Sequence, residues 1–214
     1  MKNRLPLLIS LPHAGLVVPP AVADICLLSA EEIMTDGDEG AAEIYSGLKE
    51  KVACFVTSEI ARAIVDLNRP PDDFSRDGVI KSHTCYNQAV YRTTPTAEQC
   101  QALLTNHYFP FHKALKAAAA QGLPLAIDCH TMAAIGPPVS PDPGQEGPII
   151  CLSNGDGSCP DTIFHSLAGC LSHAFGCEVA LNHPFRGGYI TRHHSQEMNW
   201  VQLEISRTAT ISNA

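Results

Sequence analysis

The sequence predicts an α/β fold with a mostly parallel or mixed central sheet and helices on both faces. Three observations predict it. Short apolar segments of strand length are bounded by turn residues, amphipathic stretches with helical spacing lie between them, and the two kinds alternate along the chain. The strand-like segments, in order, are LPLLIS (5–10), ARAIVDLN (61–68), LPLAIDC (123–129), GPIICLS (147–153), CEVALN (177–182) and WVQLEIS (200–206). The first helical stretch, EGAAEIYSGLKEKV (39–52), carries Ala42, Ile44, Tyr45 and Leu48 toward one side. In the second, residues 97–122, Leu104, Tyr108, Phe111 and Leu115 form one stripe and Pro110 marks a kink. The third, residues 160–176, opens with Pro160 in its first turn and closes at Gly176. The Pro-, Asp- and Gly-rich runs PPDDFSRDG and GPPVSPDPGQEGP read as surface loops, so residues 1–214 are expected to form one domain.

Composition narrows the function classes. With 14 basic against 22 acidic side chains the net charge is -8, the wrong sign for nucleic acid or an anionic membrane surface. Nine cysteines, an odd number without a C-x-x-C pair, read as reduced thiols in a cytoplasmic protein. Pro6, Pro12 and His13 interrupt the N-terminal apolar run, which argues against a signal peptide, and no run approaches the roughly 20 apolar residues of a membrane span.

In a sheet of this kind, ligands bind beyond the carboxyl ends of the strands. LPLLIS leads to His13, ARAIVDL to Asn68 and Arg69, PLAI to Asp128 and His130, and EVAL to Asn182 and then FRGGYITRHH. If these segments run in one direction, their polar endings converge on one rim. Two imidazoles at adjacent strand ends are a common start for a zinc site, which needs one further donor. TDGDEGAAEIY offers Asp36 and Asp38 at the start of a helix, where acids also cap backbone N–H groups. Alternation puts Asp128 on the side of His130, as a supporting acid or a strand-end ion pair, and turns Cys129 toward the packed face. In WVQLEIS it separates Gln202, Glu204 and Ser206 from Val201, Leu203 and Ile205. On a central strand Glu204 would be held rigidly, as a general base must be; on an edge strand it would face solvent. Arg69, Arg186 and Arg192 are candidates for binding carboxylates, against the plain reading as surface charge, and Gly187 and Gly188 would let backbone approach a ligand. His193 and His194 adjoin Arg192 without a ligand pattern.

SLPHAG, GDEGA, DLNRPPDD, DCHTM, NHPFRGGYITRHH and QLE, in this order from about Leu5 to Arg207, resemble the N-formylglutamate amidohydrolase family. The resemblance implies a three-layer, zinc carboxypeptidase-like (phosphorylase/hydrolase-like) fold and hydrolysis of a small anionic N-acyl amino acid, with N-formyl-L-glutamate foremost. It implies one Zn2+ on His13, Asp38 and His130, with Asp38 preferred to Asp36 because D-x-G-A before a helical Tyr fits the family's spacing better. It further implies Glu204 as catalytic glutamate, Asn68 and Arg69 on the substrate carboxylate with Arg69 also near the oxyanion, and Arg186 or Arg192 on a second carboxylate. The segment GVIKSHTCYNQAVYRTT is shorter than in longer relatives, which bears on substrate identity. Competing readings are another N-acyl amino acid or a peptide C-terminus as substrate, and a metal- or ligand-binding protein without turnover. A cysteine or serine hydrolase fits poorly, since Cys129 faces away and NGDGSCP is not a G-x-S-x-G elbow.

Overall fold

Six strands form one mixed sheet in the computed structural model, which describes residues 4–140, 142–155 and 157–207. They are β1 (Leu5–Leu11), β2 (Val52–Thr57), β3 (Leu125–Met132), β4 (Ile150–Ser153), β5 (Val179–Leu181) and β6 (Trp200–Ser206), in the spatial order β2-β1-β3-β6-β4-β5. The first four strands of that order are mutually parallel; β4 pairs antiparallel with β6, and β5 follows β4. The expectation of co-directional strands therefore fails for β4 and β5.

Helices cover both faces, as the alternation predicts. On one face α3 (Ala41–Ser46) and α6 (Asp161–Phe175) place Tyr45, Phe164 and Ala168 against Ile9, Leu11, Cys129, Leu152, Val201, Leu203 and Ile205. On the other, α4 (Ala97–Leu103), α5 (Phe109–Ala119) and α7 (Tyr189–His194) pack over Leu8, Ala126 and Trp200. Two short helices, α1 (Pro20–Ala23) and α2 (Ala30–Asp36), complete the set among the described residues. A capping box starts α2, with Ser29 and Glu32 each bonding the other's backbone N–H. Gly176 ends α6 in the left-handed conformation expected of a C-terminal glycine.

Three local readings change. ARAIVDLN is not a strand: Ala61 and Ile60 make only isolated bridges, and the chain then turns, with Ile64 and Val65 N–H both donating to the Ala61 carbonyl. Its apolar run marks burial alone, since Ile64, Val65 and Leu67 are fully enclosed without a sheet neighbour. The first helical stretch stops at Ser46, and its last residue, Val52, begins β2. Within it Ala41 and Tyr45 face the core while Ala42 and Ile44 are exposed, because the helix is too short to bury more than one narrow edge. In the second stretch the four predicted stripe residues are all buried. Pro110 enters as the second residue of α5 after a π-helical turn over Leu104–Tyr108, where the wider backbone accommodates a residue that cannot donate an N–H.

Core truncation should separate these faces. Leu115→Ala, at a fully buried site, is expected to cost about 2–5 kcal/mol in urea unfolding, whereas Ile44→Ala should stay within about 0.5 kcal/mol of wild type.

Candidate active site

The pleat of the parallel strands builds the site. Register pairs Ser10 with Asp128, Asp128 with Gln202, and Gln202 with Ser153, so a polar row crosses four strands on one face. One step further along, His130 stands beside Glu204. Below this row the same face is apolar, with Leu8, Ala126 and Trp200 in the core. The strand that carries Glu204 is central and all seven of its residues are buried.

Two imidazoles are held in matching fashion. His13, just past β1, sets its Nε2 2.9 Å from Asp66 Oδ1, and His130 sets its Nε2 2.9 Å from Asp128 Oδ2. Both carboxylates are fully buried. Ser10 Oγ donates to Asp128 at 2.7 Å, and the Asn68 N–H donates to Asp66 at 2.9 Å, so each acid is itself fixed. With Nε2 of each ring tied to a buried carboxylate, Nδ1 is the nitrogen that each ring turns toward the cavity. Both Nδ1 atoms face Asp38, at 3.6 Å from His13 and 2.8 Å from His130. The donor atoms of His13, Asp38 and His130 lie within 4.8 Å of one another. Two ring nitrogens, each oriented from behind, and one carboxylate suit a metal ion, and this buried group could hold one.

Asp36 has a different place. It ends α2 rather than starting a helix, accepts the Cys85 N–H at 2.7 Å, and lies 3.6 Å from the Lys81 ammonium. Asp38 sits in the connection to α3, where its backbone N–H donates to the His13 carbonyl. The histidine pair and Asp38 are thus joined through backbone as well as side chain.

Glu204 lines the same cavity, of about 670 Å³, as the three donors. Gln202 Nε2 donates to its Oε1 at 2.8 Å. Burial pushes the Glu204 carboxyl up to about 7; His130 opposes the shift and Asp38 adds to it. Burial also works to raise Asp38, but the flanking His13 and His130 outweigh it and hold that carboxyl well below its ordinary range.

Asn68, Arg69 and Arg186 line the cavity; Arg192 does not. Arg192 is exposed on α7, donating to the Arg186 carbonyl at 3.4 Å, because helical spacing carries it away from the loop that reaches the site. Arg69 is held by Asp77, with Nε on its carbonyl at 2.7 Å and Nη2 on its carboxylate at 2.6 Å. The Asn68 carboxamide accepts the Ile190 N–H at 2.8 Å and lies 3.4 Å from both Asp128 and His130. The loop after β5 doubles back over the polar face, where Gly188 N–H donates to Gln202 at 2.6 Å. A Cβ on Gly188 would lie 2.3 Å from the Asn68 amide nitrogen, so this glycine makes room for protein packing. His193 and His194 do not line the cavity; His194 Nε2 meets His112 Nδ1 at 2.9 Å.

Sequence reasoning missed Asp66, Lys81, Arg62 and Arg207. Asp66 stands inside the DLNR block, and its apolar neighbours were the signal that it is buried. Lys81 follows VI in GVIKSH with the same signal. Arg62 and Arg207 both line the cavity, Arg207 with Nη1 3.4 Å from the Gly37 carbonyl.

A model of the N-formylglutamate amidohydrolase family matches residues 5–210. The chain belongs to this family. N-formylglutamate deformylase of Pseudomonas aeruginosa is 29% identical over 221 residues, covering 96% of this chain and 82% of that protein. Its Pseudomonas putida namesake is 29% identical over 223 residues, covering 97% and 82%. Among solved structures, N-formylglutamate amidohydrolase from Ralstonia eutropha JMP134 superposes with a TM-score of 0.78 at 20% identity, covering 96% of this chain and 83% of that one. A gene product of Agrobacterium tumefaciens gives 0.73 at 19%, covering 94% and 79%. These two likenesses speak for the fold, and the family's fold is the α/β sheet described above.

Helix α5 and the π-helical turn before it brace the site from below. Tyr108 Oη donates to the Arg69 carbonyl at 2.8 Å, and His112 Nε2 lies 3.0 Å from the Leu67 carbonyl. Burial, with a further contribution from His194, pushes His112 down to about 3. The unfolded chain takes up a proton at this residue below about pH 6.5, and the folded protein does not until about pH 3. The contribution of neutral His112 to stability is thus complete above pH 6.5 and lost as pH falls toward 3. Denaturant midpoints followed from pH 7 to pH 4 should fall, and should fall less steeply in His112→Gln. For the metal group, Asp38→Ala is expected to abolish stoichiometric metal by elemental analysis, while Asp36→Asn should retain it.

Proposed function

We propose that the protein hydrolyses the amide of a small N-acyl amino acid, foremost N-formyl-L-glutamate, to formate and L-glutamate, with one Zn2+ on His13, Asp38 and His130. The observation that carries this reading is the three-donor group with Glu204 beside it on a central strand, in a member of this family. The N-formylglutamate deformylase relatives supply the substrate. Zinc, when bound, supplies Lewis acidity that polarises the acyl carbonyl and acidifies water.

The chain's own residues do the rest. Glu204, at about 7, is poised to take the proton of the attacking water and to return it to the departing amine. Gln202 fixes the orientation of that carboxylate. Arg69, its fork locked by Asp77, binds one substrate carboxylate and lends positive charge near the developing oxyanion. Asn68 lines the same cavity beside it and holds the glycine loop in place, and that loop brings Arg186 to the cavity for a second carboxylate. An anionic substrate and an acidic protein are compatible, because guanidinium groups and metal set the local field. No helix among the described residues is long and apolar enough to cross a membrane. We assign the protein to the cytoplasm, as one domain with its thiols reduced, in keeping with nine free cysteines.

Release of the free amino acid, measured on N-formylglutamate, other N-acyl amino acids and C-terminal peptides, tests the substrate. Turnover of N-formylglutamate at least tenfold above the others supports the proposal; turnover of peptides alone overturns it. Glu204→Gln should retain metal and lose about 10²–10⁴ in kcat, and a metal-loaded variant with full turnover removes Glu204 as the base.

A further inference from the structure

Behind the metal-facing histidines lies a lysine with no part in the scheme above. Lys81 is fully buried, and its ammonium lies 3.1 Å from Asp77 Oδ1, 3.5 Å from Asp66 Oδ2 and 3.6 Å from Asp36 Oδ2. An enclosed ammonium is strongly unfavourable unless paired, and here three carboxylates surround one. Each turns its other oxygen to a different part of the site. Asp66 Oδ1 faces His13 Nε2, Asp77 Oδ2 accepts from Arg69, and Asp36 Oδ1 accepts the Cys85 N–H.

Three cations, Lys81, Arg62 and Arg69, balance these three acids, with Arg62 Nε 3.3 Å from Asp66 Oδ2. Arg62 reaches Asp36 only at its backbone carbonyl, so Lys81 is the side-chain cation paired with that carboxylate among the described residues. Without the ammonium, Asp36 and Asp66 would face each other as like charges, and Asp77 would lose the cation that fixes it from behind. The consequence would reach the cavity by two routes, through Asp66 to His13 and through Asp77 to Arg69.

We propose that Lys81 is a positioning residue that couples the metal side of the cavity to its substrate side, fixing Asp66 behind His13 and Asp77 behind Arg69. This rests on the reading of His13 as a metal ligand and Arg69 as a carboxylate binder. A shared anchor sets the spacing between the reacting amide and the substrate carboxylate, where errors of an ångström are costly.

The test compares Lys81→Met, Lys81→Arg and Asp77→Asn with wild type, reading zinc affinity by chelator competition and kcat and KM on N-formylglutamate. Lys81→Met is expected to weaken zinc binding about 10–100-fold and to raise KM about tenfold or more. Lys81→Arg keeps the charge and should hold zinc affinity closer to wild type than Lys81→Met does. Asp77→Asn, at a residue 40% exposed, removes the carboxylate behind Arg69 and leaves Asp66 and Asp36 on the Lys81 ammonium, so KM should rise by a larger factor than zinc affinity falls. Wild-type zinc affinity and KM in Lys81→Met would overturn the proposal, as would equal losses in Lys81→Arg and Lys81→Met. If Lys81→Met does not fold, Asp77→Asn decides: a rise in KM accompanied by a smaller loss of zinc affinity supports the coupling, and no change in KM or in zinc affinity overturns it. Failure of wild type to turn over N-formylglutamate would overturn the substrate assignment while leaving the zinc-affinity comparison to judge Lys81.

Discussion

A carboxylate enclosed in protein costs several kcal/mol unless a partner meets its charge, and Asp66 and Asp128 are both fully enclosed. The imidazole Nε2 atoms of His13 and His130 meet it, and that pairing organises the site. It fixes two rings that would otherwise turn about their side-chain bonds, and it commits each Nε2 to the rear. Convergence of the two Nδ1 atoms on Asp38 follows from these constraints. The acids behind the rings are themselves tied to Ser10, Asn68, Arg62 and Lys81. A substitution several bonds from the cavity can therefore reach the donors.

The sheet supplies the second constraint. In parallel strands, register partners point to the same face, so the alternation that buries Val201, Leu203 and Ile205 on one side necessarily aligns Gln202 and Glu204 with Asp128 and His130 on the other. Antiparallel β4 then closes the flank with Ser153 beside Gln202, and its Oγ donates to the Phe185 carbonyl. Through this contact the loop after β5 reaches the site although β5 itself runs the opposite way. Fold and site share one cause: a sheet face that changes from apolar at Leu8, Ala126 and Trp200 to polar one pleat further on.

Much of this could be read in advance. Five of the six strands overlap segments picked out by their apolar runs, with β1 and β3 running on past the predicted ends to Leu11 and Met132, and His13, Asp38 and His130 emerged from strand endings together with family resemblance. Alternation correctly set Cys129 apart from His130, and its thiol lies in the opposite core, where burial raises it well above the ordinary thiol range. Other features escaped for physical reasons. An apolar run reports burial and not hydrogen bonding, so ARAIVDLN looked like a strand when it is a buried coil. Helical spacing cannot show which side a one-turn element presents, so Ile44 was placed inward. Pairing partners distant in sequence, such as Asp66 with His13 or Lys81 with Asp36, are set by tertiary approach and leave no spacing to count. Arg192 resembled Arg186 in sequence, and only the loop-to-helix transition at Tyr189 separates them.

The central claim is that two buried carboxylates turn both histidines so that Nδ1, not Nε2, faces the metal with Asp38. An anomalous-scattering crystal structure of the zinc-loaded protein tests it directly. The expected result is a single zinc at about 2.0–2.2 Å from His13 Nδ1, His130 Nδ1 and an Asp38 oxygen, with both Nε2 atoms still on Asp66 and Asp128. Zinc bound through Nε2, or bound at other residues with Asp66 and Asp128 released from the rings, would contradict it.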